Sequence, residues 1–484
     1  MSKIYLEQIK ALQAQNKWNE IADLFNLNEN MAWFQQNLSE QEICTLLFCV
    51  VQHINLKLKE LNEDNDAEKT LKIIIRDYNF IMRAAESYSY TKQIYNPAAY
   101  TNLLFASNAG NQINRVIKNQ AGNISSDCRA KCMSIFSNRH TISNALKYYA
   151  ALKEHNPDDI KILYRYAKAI TLVSEFSVRV AELEFAKGNG WILNRTARFE
   201  KAKALLSRAI YLYHQTKDEQ EKQRTWKEYI KSEFNLVKLL NDYYKYYFPL
   251  QNIYRTIADR DSLIRPWGNI RKIQDDIIIM NHTMKNILME LNLPEKRLSQ
   301  KEVQQIAKSE LPIKVFDIYY RIGRVHTLLA NCSVSGLPAT YRRPIDEAMA
   351  KFIENIEHAV DMFANVADVK LERKRARCND TGGFVYELSQ MGYCYSILGI
   401  GDLRYSKKLN ELIEQYSQRK SFNARKLTEE LMYYKALSKI YDKHTGNKAE
   451  AIRLLESIAK STITINKKRA LKLLEELKTG KLSC

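Results

Sequence analysis

Apolar residues recur three and four positions apart in ALKYYAALKEH, RFEKAKALLSRAIYLYHQ, IDEAMAKFIENIEHAVDMF and KAEAIRLLESIAKS, with charged residues between them. That period gathers the apolar side chains on one face and predicts an amphipathic α-helix in each segment. Short runs rich in Gly, Pro, Asn and Asp separate such segments: NPDD at 156–159, KGNG at 187–190, SGLPA at 335–339, NDTGG at 379–383 and HTGN at 444–447. These residues favour turns and end helices. The stretches 119–127 (NQAGNISSD) and 372–383 (ERKRARCNDTGG) read as exposed loops, and nothing reads as a long linker.

Composition narrows the fold class. The 484 residues include only 14 Gly and 8 Pro, under half of their usual combined share of about 12%. Sandwiches, barrels and wound α/β sheets consume both residues in their turns. With 45% of residues hydrophobic, the chain has material for a large core, so an all-α architecture is expected.

Worn repeats run through the helices. In ELSQMGYCYSILGIGD, Leu388 is followed by Met391 and Gly392, then by Tyr395 and Gly399. The small residue in the middle lets a partner helix approach. A second copy has Tyr434, Leu437, Ser438 and Tyr441, then Gly446 in the turn and Ala451, Leu455 and Ile458 on the next helix. A third has Ala145, Tyr149 and Leu152 before Pro157, then Leu163, Tyr166 and Ala167, and Ala202, Leu206 and Ala209 on the paired helix. A fourth has Tyr319, Ile322, Gly323 and His326, with Ala348 and Phe352 on its second helix. These patterns resemble tetratricopeptide repeats, although Gly392 and Ser438 lie 46 residues apart where the family's period is about 34.

The resemblance implies an α-solenoid of antiparallel helix pairs over residues 131–484, with insertions near 187–195, 332–343 and 372–383, and an N-terminal helical cap or module over residues 1–130. It also implies a concave surface lined by the first helix of each pair. The family's two groove-facing positions fall on Tyr164, Tyr320, Ser389 and Lys435, and on Lys168, Arg324, Tyr393 and Lys439. Tyrosine and positive charge dominate, with no acid among them. Such a lining suits an acidic segment of a protein partner through charge-assisted hydrogen bonds and ring contacts, and suits single-stranded nucleic acid as the alternative. Tyrosines packed between repeats and covered by lysine stems would account for the same residues without a ligand.

Other chemistry is sparse. No phosphate-binding glycine loop, nucleophile elbow, H-E-x-x-H or dinucleotide fingerprint occurs. Cys128 and Cys132 with His140 lack a fourth metal ligand, and read as two thiols packed on one helix face. Arg321 and His326 are similar to the R-x4-H pair of helical HEPN ribonucleases, with Arg208 and His214 a looser match. Both pairs fall in helices already explained by repeat packing. Asp275 and Asp276 read as a solvated face. Arg342 and Arg343 in one loop, and Arg373, Lys374, Arg375 and Arg377 in another, form basic patches that could contact phosphates. Tyr243, Tyr244, Tyr246 and Tyr247 cover more than one side of their helix.

The net charge is +19, from 74 Lys and Arg against 55 Asp and Glu. The first 70 residues run acidic, with Glu60, Glu63, Asp64, Asp66 and Glu68 close together, whereas the positive excess gathers in the C-terminal part. The eight cysteines, Cys44, Cys49, Cys128, Cys132, Cys332, Cys378, Cys394 and Cys484, sit mostly in apolar helical contexts and are expected to be reduced. The start, MSKIYLEQIKALQAQ, has no apolar signal region, and no run of eighteen apolar residues follows. The expectation is a soluble cytoplasmic protein without cofactor or membrane association. Its expected role is a non-enzymatic scaffold, a subunit of a larger assembly.

Overall fold

The computed structural model describes residues 39–61, 66–87, 95–184, 190–247, 270–334, 447–461 and 464–480, with scattered positions near 7–20, 351–366 and 429–440. These residues form α-helices and one π-helical turn, with no strand among them. The chain divides into two compact units, Met1–Asn235 and Leu236–Cys484.

The first unit opens with α1 (Glu40–Glu60) and α2 (Ala67–Ser87). A capping box starts α1: Ser39 Oγ accepts from the Glu42 backbone N–H, and the Glu42 carboxylate accepts from the Ser39 N–H at 2.7 Å. The helix then buries Ile43, Leu47, Val50, Ile54 and Leu58, the three-and-four spacing that packs it on Leu71, Ile74, Tyr78 and Ile81 of α2. Next comes α3 (Tyr95–Leu104), with Pro97 in its first turn, where a missing N–H costs nothing. Tyr78 Oη donates to Asn102 Oδ1 at 2.8 Å and ties α2 to α3.

The π-turn Phe105–Ala109 joins α3 to α4 (Gly110–Asn119). Its closing bond runs from Gly110 N–H to Phe105 O, and a Cβ at position 110 would collide with that same carbonyl. Only glycine fits there without backbone movement. Phe105 stacks on Phe136 at 4.3 Å, and Tyr78 meets both rings edge-on. Helix α5 (Ser126–Ile135) begins where Ser125 donates through its N–H and Oγ to Glu68, at 2.6 and 2.9 Å.

Then follow α6 (Asn138–His155), α7 (Ile160–Glu184), α8 (Gly190–Gln215) and α9 (Glu219–Tyr247). Ala145, Tyr149 and Leu152 of α6, Leu163, Tyr166 and Ala167 of α7, and Ala202, Leu206 and Ala209 of α8 are all buried. The small residues sit where α7 packs on α6 and α8. Asp158 meets Arg208, and Tyr166 meets Lys201, so α7 and α8 run in opposite directions. Residues 190–195, expected within an insertion, belong to α8 itself.

A boundary near residue 130 does not coincide with the division into units. α3 packs on α6 across that point, because the Tyr95, Ala98 and Asn102 side of α3 needs cover that its own segment cannot supply. The division falls inside α9, whose Tyr229 stacks on Tyr213 in the first unit at 3.9 Å.

The second unit contains α10 (Ile270–Glu290), α11 (Gln300–Lys308) and α12 (Val315–Val334). α10 buries Ile277, Met280, Met284, Ile287 and Leu288, and packs on Val315, Ile318, Tyr319 and Ile322 of α12. Asp275 is exposed, but its neighbour Asp276 is buried, so the expected solvated pair is split by the turn of the helix. Asn292, at φ 51°, carries the chain out of α10, a conformation asparagine tolerates better than most residues.

The loop after it is held by side chains from elsewhere in the unit. Tyr319 Oη donates to Pro294 O, while Asn365 Oδ1 accepts from Leu298 N–H and Arg297 Nη1 and its Nδ2 donates to Lys296 O. At the end of the unit, α13 (Lys448–Ala459) and α14 (Thr464–Lys478) form a hairpin over Ala451, Leu455, Ile458, Ala470, Leu473, Leu474 and Leu477. Among the described residues no helix is long and apolar enough to cross a membrane.

Candidate functional site

Four tyrosines in the first unit carry a cation over or beside the ring. Lys147 lies 5.8 Å from the Tyr148 ring, Arg165 is 5.2 Å from Tyr100, Lys201 is 5.1 Å from Tyr166 and Arg208 is 5.3 Å from Tyr211. The first two pairs belong to one cluster. Tyr95 and Tyr100 sit half-buried on α3, five residues apart, and Tyr95 meets Tyr148 of α6 at 5.3 Å. Arg165 of α7 covers Tyr100, and its charge lies near the Tyr149 hydroxyl.

Burial grades the cluster from its floor to its rim. It pushes the Tyr149 hydroxyl well up, holds Tyr164 up at about 12 and raises Tyr148, so all three rings are neutral phenols at ordinary pH. Tyr95, Tyr100 and Arg165 remain half-buried and Lys147 is exposed. On α7, Lys161, Arg165 and Lys168 recur four and three residues apart, all half-buried, so this side of the helix is uniformly cationic.

The groove positions expected from the repeat resemblance fare differently. Lys168 and Tyr320 are half-buried at helix surfaces. Tyr164, at 8% exposure, and Arg324, at 6%, lie in the cores of their units and line no open groove. Tyr164 belongs to α7, which packs on both α6 and α8, and Asn235 of α9 lies at its hydroxyl. Lys439 is half-buried and faces an acid, Glu450, at 3.4 Å. Tyr393, Lys435, Arg342, Arg343, Arg373, Lys374, Arg375 and Arg377 lie outside the described residues, as do Ser389, Ala348, Phe352, the repeat around Gly392 and residues 372–383. So do the side chains of Tyr243, Tyr244, Tyr246 and Tyr247.

His326 sits in a polar knot. Its Nε2 lies 3.0 Å from Glu295 Oε1 and its Nδ1 lies 3.1 Å from Asn355 Oδ1, while Asn355 Nδ2 donates to Lys351 O and so turns its oxygen to the ring. Burial, the largest single influence, would raise the Glu295 carboxyl, but the hydrogen bond to His326 together with the field of His326, Lys285 and His358 outweighs it and the carboxyl is lowered. His358 stacks on His326 at 5.1 Å. Arg321 lies beside the Tyr320 ring, 5.4 Å from its centroid. A general acid or base needs a nitrogen within reach of substrate, and both nitrogens of His326 are engaged inside the unit.

Cys128 and Cys132 are buried on one face of α5; burial raises the Cys128 thiol and pushes Cys132 up to about 12. Such thiols stay protonated and are poor metal ligands. Among the described residues no group of three His, Cys, Asp or Glu side chains could hold a metal ion.

The α3 tyrosines and Arg165 escaped the sequence reading because they belong to no repeat register. Their signal, Tyr95 and Tyr100 on one short helix, gains meaning only beside α6 and α7. No protein-family model, curated protein or solved structure matches this chain.

Proposed function

We propose that the protein is a non-enzymatic helical scaffold whose first unit binds an acidic segment of a protein partner along the tyrosine- and cation-bearing surface of α3, α6 and α7. The observation that carries this reading is that Tyr95, Tyr100, Lys147 and Arg165 bring half-buried rings and basic groups onto the adjoining helices α3, α6 and α7. Tyrosine offers apolar area with a polar edge, and guanidinium matches a carboxylate with two parallel donors. The helix pairing of α6, α7 and α8 supports a tetratricopeptide-like stack, in which this surface is the exposed side of successive helices.

The binding is electrostatically steered and weakens with salt. The test is capture of partners from lysate by tagged protein at low and high salt, with quantitative mass spectrometry, comparing wild type with K147E/R165E/K168E. A stoichiometric acidic partner lost from the variant, on both salt and charge reversal, supports the scaffold. Unchanged capture by the variant overturns the surface.

A further inference from the structure

Between Ser457 and Leu474 the chain has no acidic residue, yet it carries Lys460, Lys467, Lys468, Arg469 and Lys472. Ala470, Leu473, Leu474 and Leu477 of α14 are buried in the hairpin, while Lys467, Lys468, Leu471 and Lys472 are exposed. Lys460 is the residue that ends α13, four positions before α14 begins, so the connection brings it to the same end of the hairpin. Ser461 Oγ, 2.7 Å from each carboxylate oxygen of the buried Glu429, anchors that connection.

Elsewhere, many exposed or half-exposed lysines face a carboxylate: Lys57 and Glu60, Lys72 and Glu68, Lys131 and Asp127, Lys296 and Glu302. Among the described residues no acid lies within ion-pair distance of Lys460, Lys467, Lys468 or Lys472. Glu456 and Glu475 flank the run about one turn away. The positive end of the α14 backbone dipole adds to the same field.

We propose that the lysine-bearing side of α14, with Lys460 at the turn before it, is a nucleic-acid contact surface that binds the phosphate backbone without reading sequence. Lysine ammonium groups are hydrated point charges with no fork geometry, suited to a chain of phosphates more than to a defined carboxylate. Their mutual repulsion is relieved by a polyanion, which releases its counterions on binding. A lipid surface fits less well, because the buried apolar residues of α14 are turned into the hairpin and, among the described residues, only Leu471, 47% exposed, stands among the lysines. The surface is separate from the α3, α6 and α7 cluster and goes beyond the acidic-partner reading.

The test uses the full-length protein, fluorescence anisotropy, and two labelled probes of mixed sequence, a single-stranded RNA and a DNA duplex, between about 50 and 200 mM salt. K467Q/K468Q/K472Q is expected to weaken binding at least about tenfold at low salt and to flatten the slope of log affinity against log salt by about 2 units. K448Q/K478Q, at the opposite end of the hairpin, is expected to change affinity by less than about twofold. All five side chains are exposed, and far-UV circular dichroism confirms that each variant folds. Absence of wild-type binding to either probe overturns the proposal, as does an equal loss in both variants. Displacement of RNA by oligo-glutamate at matched charge, or binding to phosphatidylserine vesicles with neither nucleic-acid probe bound, reassigns the surface and overturns it as well.

Discussion

Asp77 has no exposed surface, yet its carboxylate meets His53 Nδ1 at 2.6 Å and accepts from Arg76 at 2.9 Å. A buried ion pair contributes little over a well-packed apolar substitute, but removal of one member strands the other charge. Asp77→Ala is therefore expected to cost about 3–5 kcal/mol in urea unfolding of the full chain, and Asp77→Asn, which keeps an acceptor for both partners, distinctly less. A shift below about 1 kcal/mol for Asp77→Ala would contradict the stranded-charge account.

Glu68 and Glu302 set the acid side of stability. Hydrogen bonds from Lys72 and Ser125 hold Glu68 down at about 2, and those from Ser299 and Lys296 do the same for Glu302, against 4.5 for an ordinary glutamate. Because the folded value lies below the unfolded one, the unfolded chain binds more protons between them. Their stabilisation is complete above about 4.5 and is lost as pH falls toward 2. Thermal midpoints measured across that window should fall more steeply for wild type than for E68Q/E302Q, whose midpoint at neutral pH starts lower.

At the scale of elements, the junction of α3 and α4 depends on one residue. A methyl group at Gly110 would meet Phe105 O, a backbone atom that cannot swing aside, so Gly110→Ala forces the π-turn to shift. The expected loss is about 1–3 kcal/mol. Gly122 has nothing within 4 Å of its virtual Cβ, so Gly122→Ala is expected to be neutral or to stabilise by up to about 1 kcal/mol. Equal melting temperatures for the two variants would contradict the strained-junction account.

The elements also separate what pattern can and cannot reveal. Ala145, Ala167, Ala202 and Ala209, picked out as small residues at helix contacts, are all fully buried, because a three-and-four period records one buried face directly. The π-turn left no such mark: FASNAG reads as ordinary helix, and only the position of Phe105 O beside Gly110 distinguishes it. Tyr164 shows the opposite limit. A repeat register places it on an outer face, but it cannot foresee that the ring is enclosed by other helices.

At the scale of the molecule, positive charge is divided between surfaces of different character. The first unit carries cations over tyrosine rings, and the end of the second carries lysines with no carboxylate in ion-pair reach among the described residues. The two sets of side chains belong to different units, and substitutions that share no partner act independently. K147E/R165E/K168E should therefore lose acidic-partner capture and keep most of its nucleic-acid affinity, and K467Q/K468Q/K472Q should do the reverse. Loss of both activities in either variant would indicate a general charge effect.

The sequence by itself determined the all-α class and the buried faces of α6, α7 and α8. Each depends on residues within a few positions of one another, where local hydrogen bonding and helical period act. Only tertiary structure decided which cations meet which rings, that Arg324 is enclosed, that Lys439 faces Glu450, and that α3 packs on α6 across the expected domain boundary. Those outcomes depend on which helix packs against which, and that choice is set by burial and shape between segments far apart in the chain, which no local pattern encodes.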